Sequence, residues 1–399
     1  MLSRRGNTSP PLRSYRVLIA QQGTITPYRI PLFEQLALRK PPEWDFEVVC
    51  EATTGESGEF YSGGAGIRQY NFPTLPTRTW KFSLFGRRAS WQDFFFQARK
   101  YDLVITDNYV KILTYPALFL YKLTGQKRVI WGIPGDPQVP NPKGIKRLVE
   151  WIKWRLVHWA DGFFVYTEGS RDHLISAGYP AERITVLNNT IDINTERAGA
   201  LPLLSQRQDL REKWGIGSDR IVVTGIGRLN RDKRPQLIGP LAAALHRMDS
   251  RFLFLVAGDG PFRSAVEKDA AQLGPEVLRY LGRLDGPNQA QEIQALSDLY
   301  YMPGYVGLAP LQAACYNLPI IAYDLDIHSP EVEYLTPENS LFVEDVPDPD
   351  GVARQILEGL PRLLDPEFRR GVWPSIQHLT MDAMVGRYVD GINRVLGLP

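Results

Sequence analysis

The sequence predicts an α/β protein built from two doubly wound parallel-sheet domains. Short apolar stretches alternate with longer helical patterns along the chain, and most of the short stretches are apolar at every position. Continuous apolar strands are typical of parallel sheets that helices cover on both faces. A chain of 399 residues is long enough for two such domains, each with its own core.

The predicted strands form two sets, one in each half of the chain. The first half contains YRVLIAQ, FEVVCE, DLVITD, RVIWGI, GFFVYT and RITVLNN. The second half contains IVVTGIG, FLFLVAG, VLRYLG, LYYMPG, PIIAYD and SLFVED. Because doubly wound sheets bind ligands beyond the carboxyl ends of their strands, two facing domains would hold a ligand in the cleft between them.

The domain boundaries follow from where this alternation stops. Residues 1–14 are interpreted as a disordered basic tail and residues 15–195 as the first Rossmann-like domain. Residues 196–219 interrupt the strand rhythm with charged and loop-forming residues, so they are predicted to be a linker. The second domain covers residues 220–376. A last helix within residues 377–399 has no strand after it, and the sequence leaves open whether it crosses back onto the first domain.

Composition narrows the functional classes. The formal net charge is +2, so nothing along the chain indicates nucleic-acid binding. The cysteines, Cys50 and Cys315, offer neither metal-ligand spacing nor a disulfide framework, which fits a reducing compartment. The basic opening stretch lacks the apolar segment of a secretory signal, and no apolar run approaches the roughly twenty residues that span a bilayer. We therefore expect a cytoplasmic protein.

A glycine-bearing loop in the second half has the composition of a phosphate site. In VVTGIGRLNRDKRPQLI, Gly225 and Gly227 follow a strand and precede a helix, where the backbone can approach a phosphate. Asn230 stands where a dinucleotide-binding fold requires a third glycine, so a dehydrogenase is disfavoured. Four cations share the loop: Arg228, Arg231, Lys233 and Arg234. They are interpreted either as a solvated basic turn or as ligands of a diphosphate leaving group.

Residues 220–343 resemble the donor-binding domain of the family-4 glycosyltransferases, whose GT-B architecture has two facing doubly wound domains. The matching stretches are GIGRLNRDK, LVAGDGP, YLGRL, MPGYVGLAPLQAACYNLPIIA and HSPEVEYLTPENSLFV. Weaker likeness extends to TPYRIPLFEQLA, YTEGSRDHLISAGY, RITVLNNTIDI and the final helix. The ordered set is specific for the family and not for any substrate.

The resemblance implies transfer of a sugar from a nucleotide-diphosphate donor, with retention at the anomeric carbon. It assigns Arg228 and Lys233 to the diphosphate as the catalytic cations, and Arg283 and Leu284 to the nucleoside. The remaining donor-site positions are Gly227, Gly304, Tyr305, Gly307, Leu308, Gln312 and Glu331. It implies a glycan or lipid-linked acceptor held by the first domain, in polysaccharide or glycoconjugate biosynthesis, and no cofactor or metal.

The donor loop departs from the family pattern at its paired carboxylates. Members commonly carry two glutamates eight positions apart, where this chain has Gly304 and Gln312. Neither glutamate has to be a nucleophile if the acceptor hydroxyl attacks on the face that the phosphate leaves. Catalysis then consists of positioning and of neutralising the diphosphate, for which Arg228 and Lys233 remain. We expect an active enzyme with an altered donor site.

Gly23, Thr24 and Asp136 are the residues predicted to contact the acceptor. In VIWGIPGDP, Ile133 and Pro134 stand where related proteins often have His-Gly. Asp136 is a polar substitute, although an Asp between Gly and Pro is more often a turn residue. Gly23 and Thr24 are the other candidates. Glu331 has a competing interpretation as the first turn of a helix, and the short DLD match at residues 324–326 is not expected to bind a metal.

A tryptophan-rich basic helix is predicted at residues 143–159, KGIKRLVEWIKWRLVHW. One helical face is expected to carry Ile145, Leu148, Val149, Ile152, Leu156 and Trp159. The cations expected elsewhere on the helix are Lys146, Arg147, Lys153 and Arg155. Two interpretations stay open: a helix packed on its sheet with a solvated basic face, or peripheral contact with an anionic membrane.

Three other functions fit the same architecture. A sugar-nucleotide epimerase would convert a donor without an acceptor, and a phosphorylase would require free phosphate and a glycan. A degenerate transferase would bind a nucleotide or glycan and serve as a scaffold. Gly304, Gln312 and Ile133 favour the scaffold, whereas Arg228 and Lys233 argue against it.

Overall fold

The structure is a computed structural model that describes residues 14–21, 25–51, 70–84, 87–124, 128–132, 144–284 and 288–399. The chain divides into two compact units. Unit 1 contains Met1–Asn188 and Asp382–Pro399, and unit 2 contains Asn189–Met381. Each unit is a parallel sheet flanked by helices, so the predicted α/β class with two Rossmann-like domains is confirmed.

All of the strands expected from the apolar runs are present. Their bounds, with those of three further strands, are β1 Tyr15–Ala20, β2 Trp44–Glu51, β3 Thr74–Thr77, β4 Thr79–Leu84, β5 Arg87–Gln92, β6 Leu103–Thr106, β7 Arg128–Trp131, β8 Phe163–Val165, β9 Ile184–Val186, β10 Ile221–Ile226, β11 Phe252–Ala257, β12 Leu278–Tyr280, β13 Leu299–Met302, β14 Ile320–Asp324 and β15 Ser340–Glu344. The additional strands are β3, β4 and β5. They are polar or alternate in polarity, so a search for continuous apolar runs does not detect them.

Most helices lie between strands, as a parallel sheet requires, and α11, α12 and α13 follow the last strand. Their bounds are α1 Ile30–Arg39, α2 Thr114–Leu118, α3 Ile145–Trp159, α4 Glu168–Ser176, α5 Ile193–Ser205, α6 Arg207–Lys213, α7 Ile238–Met248, α8 Arg263–Leu273, α9 Gln289–Leu296, α10 Ala309–Cys315, α11 Pro349–Leu364, α12 Pro366–Ile376 and α13 Met381–Leu396. Among the helices of the described ranges, none is long and apolar enough to cross a bilayer.

The main sheet of unit 1 has the strand order β3-β2-β1-β6-β7, with all neighbours parallel. Strands β8 and β9 form a second parallel pair, which an isolated bridge from Ile130 to Gly162 joins to β7. Strands β4 and β5 form an antiparallel hairpin. The strand order reverses between β1 and β6, and such a reversal opens a crevice at the carboxyl ends of the two strands.

The sheet of unit 2 has the order β12-β11-β10-β13-β14-β15 and is parallel throughout. Successive residues of its central strands enter two different apolar clusters, as shown by Val222 on one face and Val223 on the other. Helices therefore cover both faces, which explains the continuous apolar strands. Here the strand order reverses between β10 and β13.

The predicted linker at residues 196–219 differs from what the structure shows, because this segment forms most of α5 and all of α6 within unit 2. Its charged residues suggested solvent exposure, but two of them are paired in the interior. Arg207 and Arg211 lie 2.5 and 2.6 Å from the carboxylate of Asp298, and Arg369 reaches the same group at 3.2 Å. Sequence composition cannot distinguish charges that solvent covers from charges that a distant carboxylate neutralises.

The final helix, α13, belongs almost entirely to unit 1. The indole of Trp44 donates a hydrogen bond to Asn393 at 2.9 Å, and the ring of Tyr388 lies 4.7 Å from that of Phe164. Gly391 permits this approach, since a Cβ there would lie 2.2 Å from the Phe164 ring. The last segment of the chain thus completes the core of the first unit.

Helix α3 packs on unit 1 with a face other than the expected one. Val157 and Lys153 are buried, whereas Leu148, Ile152 and Trp159 are exposed. Of the six apolar residues expected on one helical face, these three are therefore not packed on the sheet. A long aliphatic stem allows a lysine such as Lys153 to be buried.

Candidate functional site

A cavity of unit 2 lies where the strand order of its sheet reverses, at the carboxyl ends of β10 and β13. It has a volume of about 160 Å³. Its lining includes Gly227, Arg228 and Lys233 from the loop after β10, together with Gly304 and Tyr305 from the loop after β13. The structure thus brings together five of the site residues that the sequence predicted.

Two glycines of the turn after β11 lie against the loop after β10. Gly258, in VAGDGP, has φ +143°, and a Cβ there would lie 1.7 Å from the carbonyl oxygen of Gly227. Gly260 approaches Leu229 in the same way, with a Cβ position 2.6 Å from the Leu229 carbonyl oxygen. A Cβ at Gly227 itself would meet nothing within 4 Å. The backbone at Gly227 is therefore open on the side where a phosphate could approach.

Lys233 bridges the two loops. Its ammonium donates a hydrogen bond to the Tyr305 carbonyl at 2.6 Å, and its backbone N–H donates to the Asn230 side chain at 3.2 Å. Asn230, which excluded a dinucleotide fingerprint, thus caps the short helical turn Arg231–Lys233. Burial lowers the pKa of Lys233, and nearby Arg228 lowers it further.

Arg228 and Lys233 form a cationic pair with little compensation. Arg228 is exposed, and within the described residues neither side chain lies within 4 Å of a carboxylate. Glu331 and Asp232 act on Lys233 only as more distant charges. Two neighbouring cations repel each other, so an anion that bound between them would be stabilised by both.

Gly304 occupies the position of one family glutamate, and the structure shows why no side chain stands there. A Cβ at Gly304 would lie 2.2 Å from the Asp232 carbonyl oxygen and 2.6 Å from two backbone atoms of Lys233. The next residue, Tyr305, donates its N–H to the same Asp232 oxygen at 2.8 Å. The two loops are in backbone contact at this point, and the contact excludes a carboxylate side chain.

His328 connects the loop after β13 to the end of β14 through two hydrogen bonds. Its Nδ1 accepts from the Val306 N–H at 3.4 Å, and its Nε2 is 2.9 Å from the Tyr323 carbonyl oxygen. These partners require a neutral ring with the proton on Nε2. Burial lowers the pKa of His328, with Asp324 and Lys233 as the charged neighbours. The imidazole is thus held in its neutral form, as the bond from Val306 needs.

The other predicted donor residues lie outside the cavity lining among the described residues. Glu331 is buried in the short helix Pro330–Tyr334, where Asn189 donates to its carboxylate at 2.5 Å. Gln312 is half-buried on α10, near Gly307 and Leu308 at the start of that helix. Arg283 is exposed and Leu284 half-buried after β12. Gly307 is close to Lys233, since a Cβ there would lie 3.6 Å from the Lys233 ammonium.

Unit 1 has a polar cluster at the matching position of its own sheet. A cavity of about 40 Å³ at the carboxyl ends of β1 and β6 is lined by Arg29, Asp107, Tyr166 and Tyr388. Arg29 is 8% exposed, donates a hydrogen bond to the Tyr166 hydroxyl and is close enough to Asp107 to feel its charge. Sequence analysis missed this cluster, because its members are far apart along the chain and belong to no motif.

The acceptor residues predicted from sequence, Gly23, Thr24 and Asp136, lie outside the described residues. Gln21 and Gly132, which line the small cavity of unit 1, are close to them in sequence. The only available signal for Arg29 was its place in TPYRIPLFEQLA, a stretch that resembles the family weakly.

Two Rossmann-like domains with a cationic glycine loop at a strand-order reversal define the class as the GT-B fold of glycosyltransferases. Residues 206–362 match the family model described as glycosyl transferases group 1, and residues 37–195 match the model described as glycosyltransferase family 4. The chain belongs to the family-4 glycosyltransferases.

Curated relatives match over parts of their length. The chain is 28% identical to the alpha-galactosylglucosyldiacylglycerol synthase of Streptococcus pneumoniae over 39% of this chain and 42% of the relative. It is 26% identical to the alpha-D-kanosaminyltransferase of Streptomyces kanamyceticus over 63% of this chain and 64% of the relative. The chain therefore spans less than two thirds of either relative.

Solved structures match over nearly the whole chain. HepE of Anabaena in complex with UDP superposes with a TM-score of 0.68 at 15% identity, covering 95% of this chain and 99% of that one. The catalytic domain of starch synthase IV from Arabidopsis thaliana, bound to ADP and acarbose, gives a TM-score of 0.61 at 13% identity, covering 96% and 100%. At these identities the likeness shows the fold.

Proposed function

We propose that the protein transfers a sugar from a nucleotide-diphosphate donor to a glycan or lipid-linked acceptor, with retention of the anomeric configuration. The observation that carries this proposal is the pair Arg228 and Lys233, which lines an open glycine loop without a carboxylate partner within 4 Å in the described residues. A diphosphate would supply the missing negative charge. The HepE structure contains UDP, which supports a nucleotide diphosphate as the ligand.

The chemistry requires little more than positioning and charge. The acceptor hydroxyl oxygen forms a bond to the anomeric carbon on the face from which the phosphate oxygen departs. Its proton passes to that phosphate oxygen, and the products are a glycoside and a nucleoside diphosphate. Negative charge grows on the diphosphate as the bond breaks, so Arg228 and Lys233 would stabilise the transition state more than the ground state.

The two absent glutamates do not contradict activity on this scheme. Gly304 is required by the backbone contact with Asp232 and Lys233, and that contact places the Tyr305 carbonyl against the Lys233 ammonium. Gln312 would offer its amide oxygen to the donor, and Glu331 remains as a buried carboxylate that interacts with Lys233. Lys233 would therefore be the central residue of the donor site in this protein.

The acceptor would bind unit 1 at the carboxyl ends of β1 and β6. Arg29 provides a buried hydrogen-bond donor there and Asp107 a half-buried acceptor. Gly23, Thr24 and Asp136 are further acceptor contacts that the sequence predicts. The name of the Streptococcus pneumoniae relative indicates a glycolipid product, which supports a lipid-linked acceptor in glycoconjugate biosynthesis. We include peripheral contact of residues 143–159 with an anionic membrane, and a cytoplasmic location, which the free thiols of Cys50 and Cys315 support.

A thermal-shift screen of the full chain against UDP, GDP, ADP and the matching monophosphates tests the donor site. A ligand that binds only the native state raises the melting temperature. At a concentration of a hundred times its dissociation constant it increases the free energy of unfolding by about 2.7 kcal/mol. We expect a diphosphate to stabilise the protein more than its monophosphate. No shift with any of these nucleotides at millimolar concentration would refute the site.

Product analysis separates transfer from the rival functions. A radiolabelled sugar nucleotide incubated with membrane lipids should give a labelled glycolipid with the α or β configuration of the donor. Conversion of the donor in the absence of any acceptor would indicate an epimerase, and a requirement for free phosphate would indicate a phosphorylase. Nucleotide binding without any turnover would indicate the scaffold.

A further inference from the structure

Helix α3 of unit 1 carries large apolar side chains on its solvent side. The exposed fractions are 54% for Leu148, 56% for Trp151, 41% for Ile152 and 39% for Trp159. A folded protein that leaves single apolar side chains exposed needs no explanation, but four on one helix form a continuous feature.

These residues share one helical face. Leu148, Trp151, Ile152, Arg155 and Trp159 follow the spacing i, i+3, i+4, i+7 and i+11, which places them in one stripe along the helix. We call these five residues the α3 stripe. The core contacts come from elsewhere on the helix, since Val157 is buried in the cluster under α3 and Leu156 packs against that cluster. The apolar stripe therefore faces away from the core that anchors the helix.

Cations accompany the stripe. Arg155 lies within it, with its guanidinium 5.2 Å from the centre of the Trp151 ring, and Arg147 is exposed one residue before Leu148. Among the described side chains of this face the formal charges are positive. Arginine beside tryptophan suits the boundary between lipid headgroups and acyl chains, because the indole fills the boundary while the guanidinium stays at the phosphates.

The apolar surface continues beyond the helix. Phe119 contacts Trp159 with 5.9 Å between ring centres, and the short helix that begins at Phe119 exposes Leu120 and Leu123. Their exposed fractions are 56% and 72%. A helix of 15 residues is about 22 Å long, and the stripe runs along most of it.

We propose that the α3 stripe docks the protein on an anionic lipid bilayer, with Leu148, Trp151, Ile152 and Trp159 inserted at the headgroup level and Arg147 and Arg155 at the lipid phosphates. The positive charge of the surface favours an anionic bilayer over a protein partner. A protein would have to place acidic side chains directly opposite Arg147 and Arg155. A bilayer adapts to any spacing of cations. The inference sharpens the membrane contact of the proposed function, but its test involves neither donor nor transfer.

Sedimentation of the full chain with vesicles tests the proposal. Vesicles of phosphatidylglycerol and phosphatidylcholine are compared with pure phosphatidylcholine, at low salt and at 0.5 M salt. We expect binding to the anionic vesicles that added salt weakens, because mobile ions screen the attraction. The double variant Trp151→Gln/Ile152→Gln should lower the partition coefficient by about tenfold or more, since it removes inserted apolar surface.

The charge contribution is tested with Arg147→Gln/Arg155→Gln. It should weaken binding to anionic vesicles by roughly thirtyfold and leave binding to neutral vesicles nearly unchanged, because each of the two arginines near the leaflet contributes about 1 kcal/mol. Lys153 is left in place because it is buried. The matched control is Leu38→Gln, which replaces a side chain that is 85% exposed on α1 of the same unit. This control should bind vesicles like the parent.

Two results would overturn the proposal. One is sedimentation of the Trp151→Gln/Ile152→Gln variant to the same extent as the parent. The other is absence of binding of the parent to anionic vesicles. Self-association of the parent that this variant abolishes, seen by sedimentation velocity, would then identify the stripe as an interface between two copies. All variants should keep the parent melting temperature and nucleotide shift, so a failure of the membrane contact is distinguishable from a failure of the donor site.

Discussion

Restoring the family carboxylate by Gly304→Glu should lower the stability of the protein or its affinity for UDP, and should raise neither. The new Cβ would lie 2.2 Å from the Asp232 carbonyl oxygen and 2.6 Å from the backbone of Lys233, so the loop after β13 would have to move away. That movement would break the bond from the Tyr305 N–H to Asp232 at 2.8 Å and the bond from the Lys233 ammonium to Tyr305 at 2.6 Å.

The expected magnitude follows from these two bonds. A neutral hydrogen bond contributes about 1 kcal/mol and one from a charged donor about 2 kcal/mol, which gives about 3 kcal/mol of lost stabilisation. If unfolding reports the loss, the melting temperature should fall by roughly 6–12 °C. If the loop shifts while the domain stays folded, affinity for UDP should fall by on the order of a hundredfold instead.

The assay combines a thermal melt with UDP titration, and two further glycine variants serve as controls. Gly304→Ala introduces the same Cβ without a charge and should lose about as much stability. Gly227→Ala adds a Cβ that meets nothing within 4 Å, so it should melt like the parent, although it narrows the approach to the backbone. A Gly304→Glu protein that melts and binds UDP like the parent would refute the backbone contact.

Three further predictions concern the same site. Arg228→Ala and Lys233→Ala should each lower turnover by about a hundredfold without unfolding the protein, because each removes a cation from growing negative charge; a fully active double variant would exclude the diphosphate site. Gln312→Glu should tighten nucleotide binding by about 1 kcal/mol through a charged acceptor, and unchanged affinity measured by calorimetry would place residue 312 outside the pocket. Since burial lowers the pKa of His328, its stabilising effect should be complete above about pH 6.5, the ordinary pKa of histidine, and decline as the pH falls through the lower folded-state pKa. Denaturant titrations between pH 7 and 5 should show that decline in the parent, and His328→Asn should flatten it; an equal slope in both proteins would contradict the role of the ring.

Much of the fold could be predicted from the sequence because each buried parallel strand is identifiable from its own consecutive residues. A strand that is buried on both faces must be apolar at every position, so runs such as FLFLVA identify β11 without any knowledge of its neighbours. The donor loop is local in the same sense. Gly227, Arg228, Asn230 and Lys233 lie within seven residues, and the structure keeps them together.

Other features depend on residues that are distant along the chain. The hairpin of β4 and β5 alternates in polarity and escapes a search for apolar runs. The charges of Arg207 and Arg211 suggested a linker, yet they are neutralised by Asp298, which follows about ninety residues later. Periodicity located α3 correctly but could not decide which face is inside, because both faces contain large apolar residues.

The sequence by itself thus determined the class of fold, the family and the cationic loop, since each of these depends on neighbouring residues. The tertiary structure alone decided that Gly304 admits no side chain, that His328 contacts the loop after β13, and that Arg29 and Asp107 line the same cavity of unit 1. The reason is physical. Whether a position has room, and whether a polar group is paired, depends on which distant backbone segments the folded sheet brings beside it.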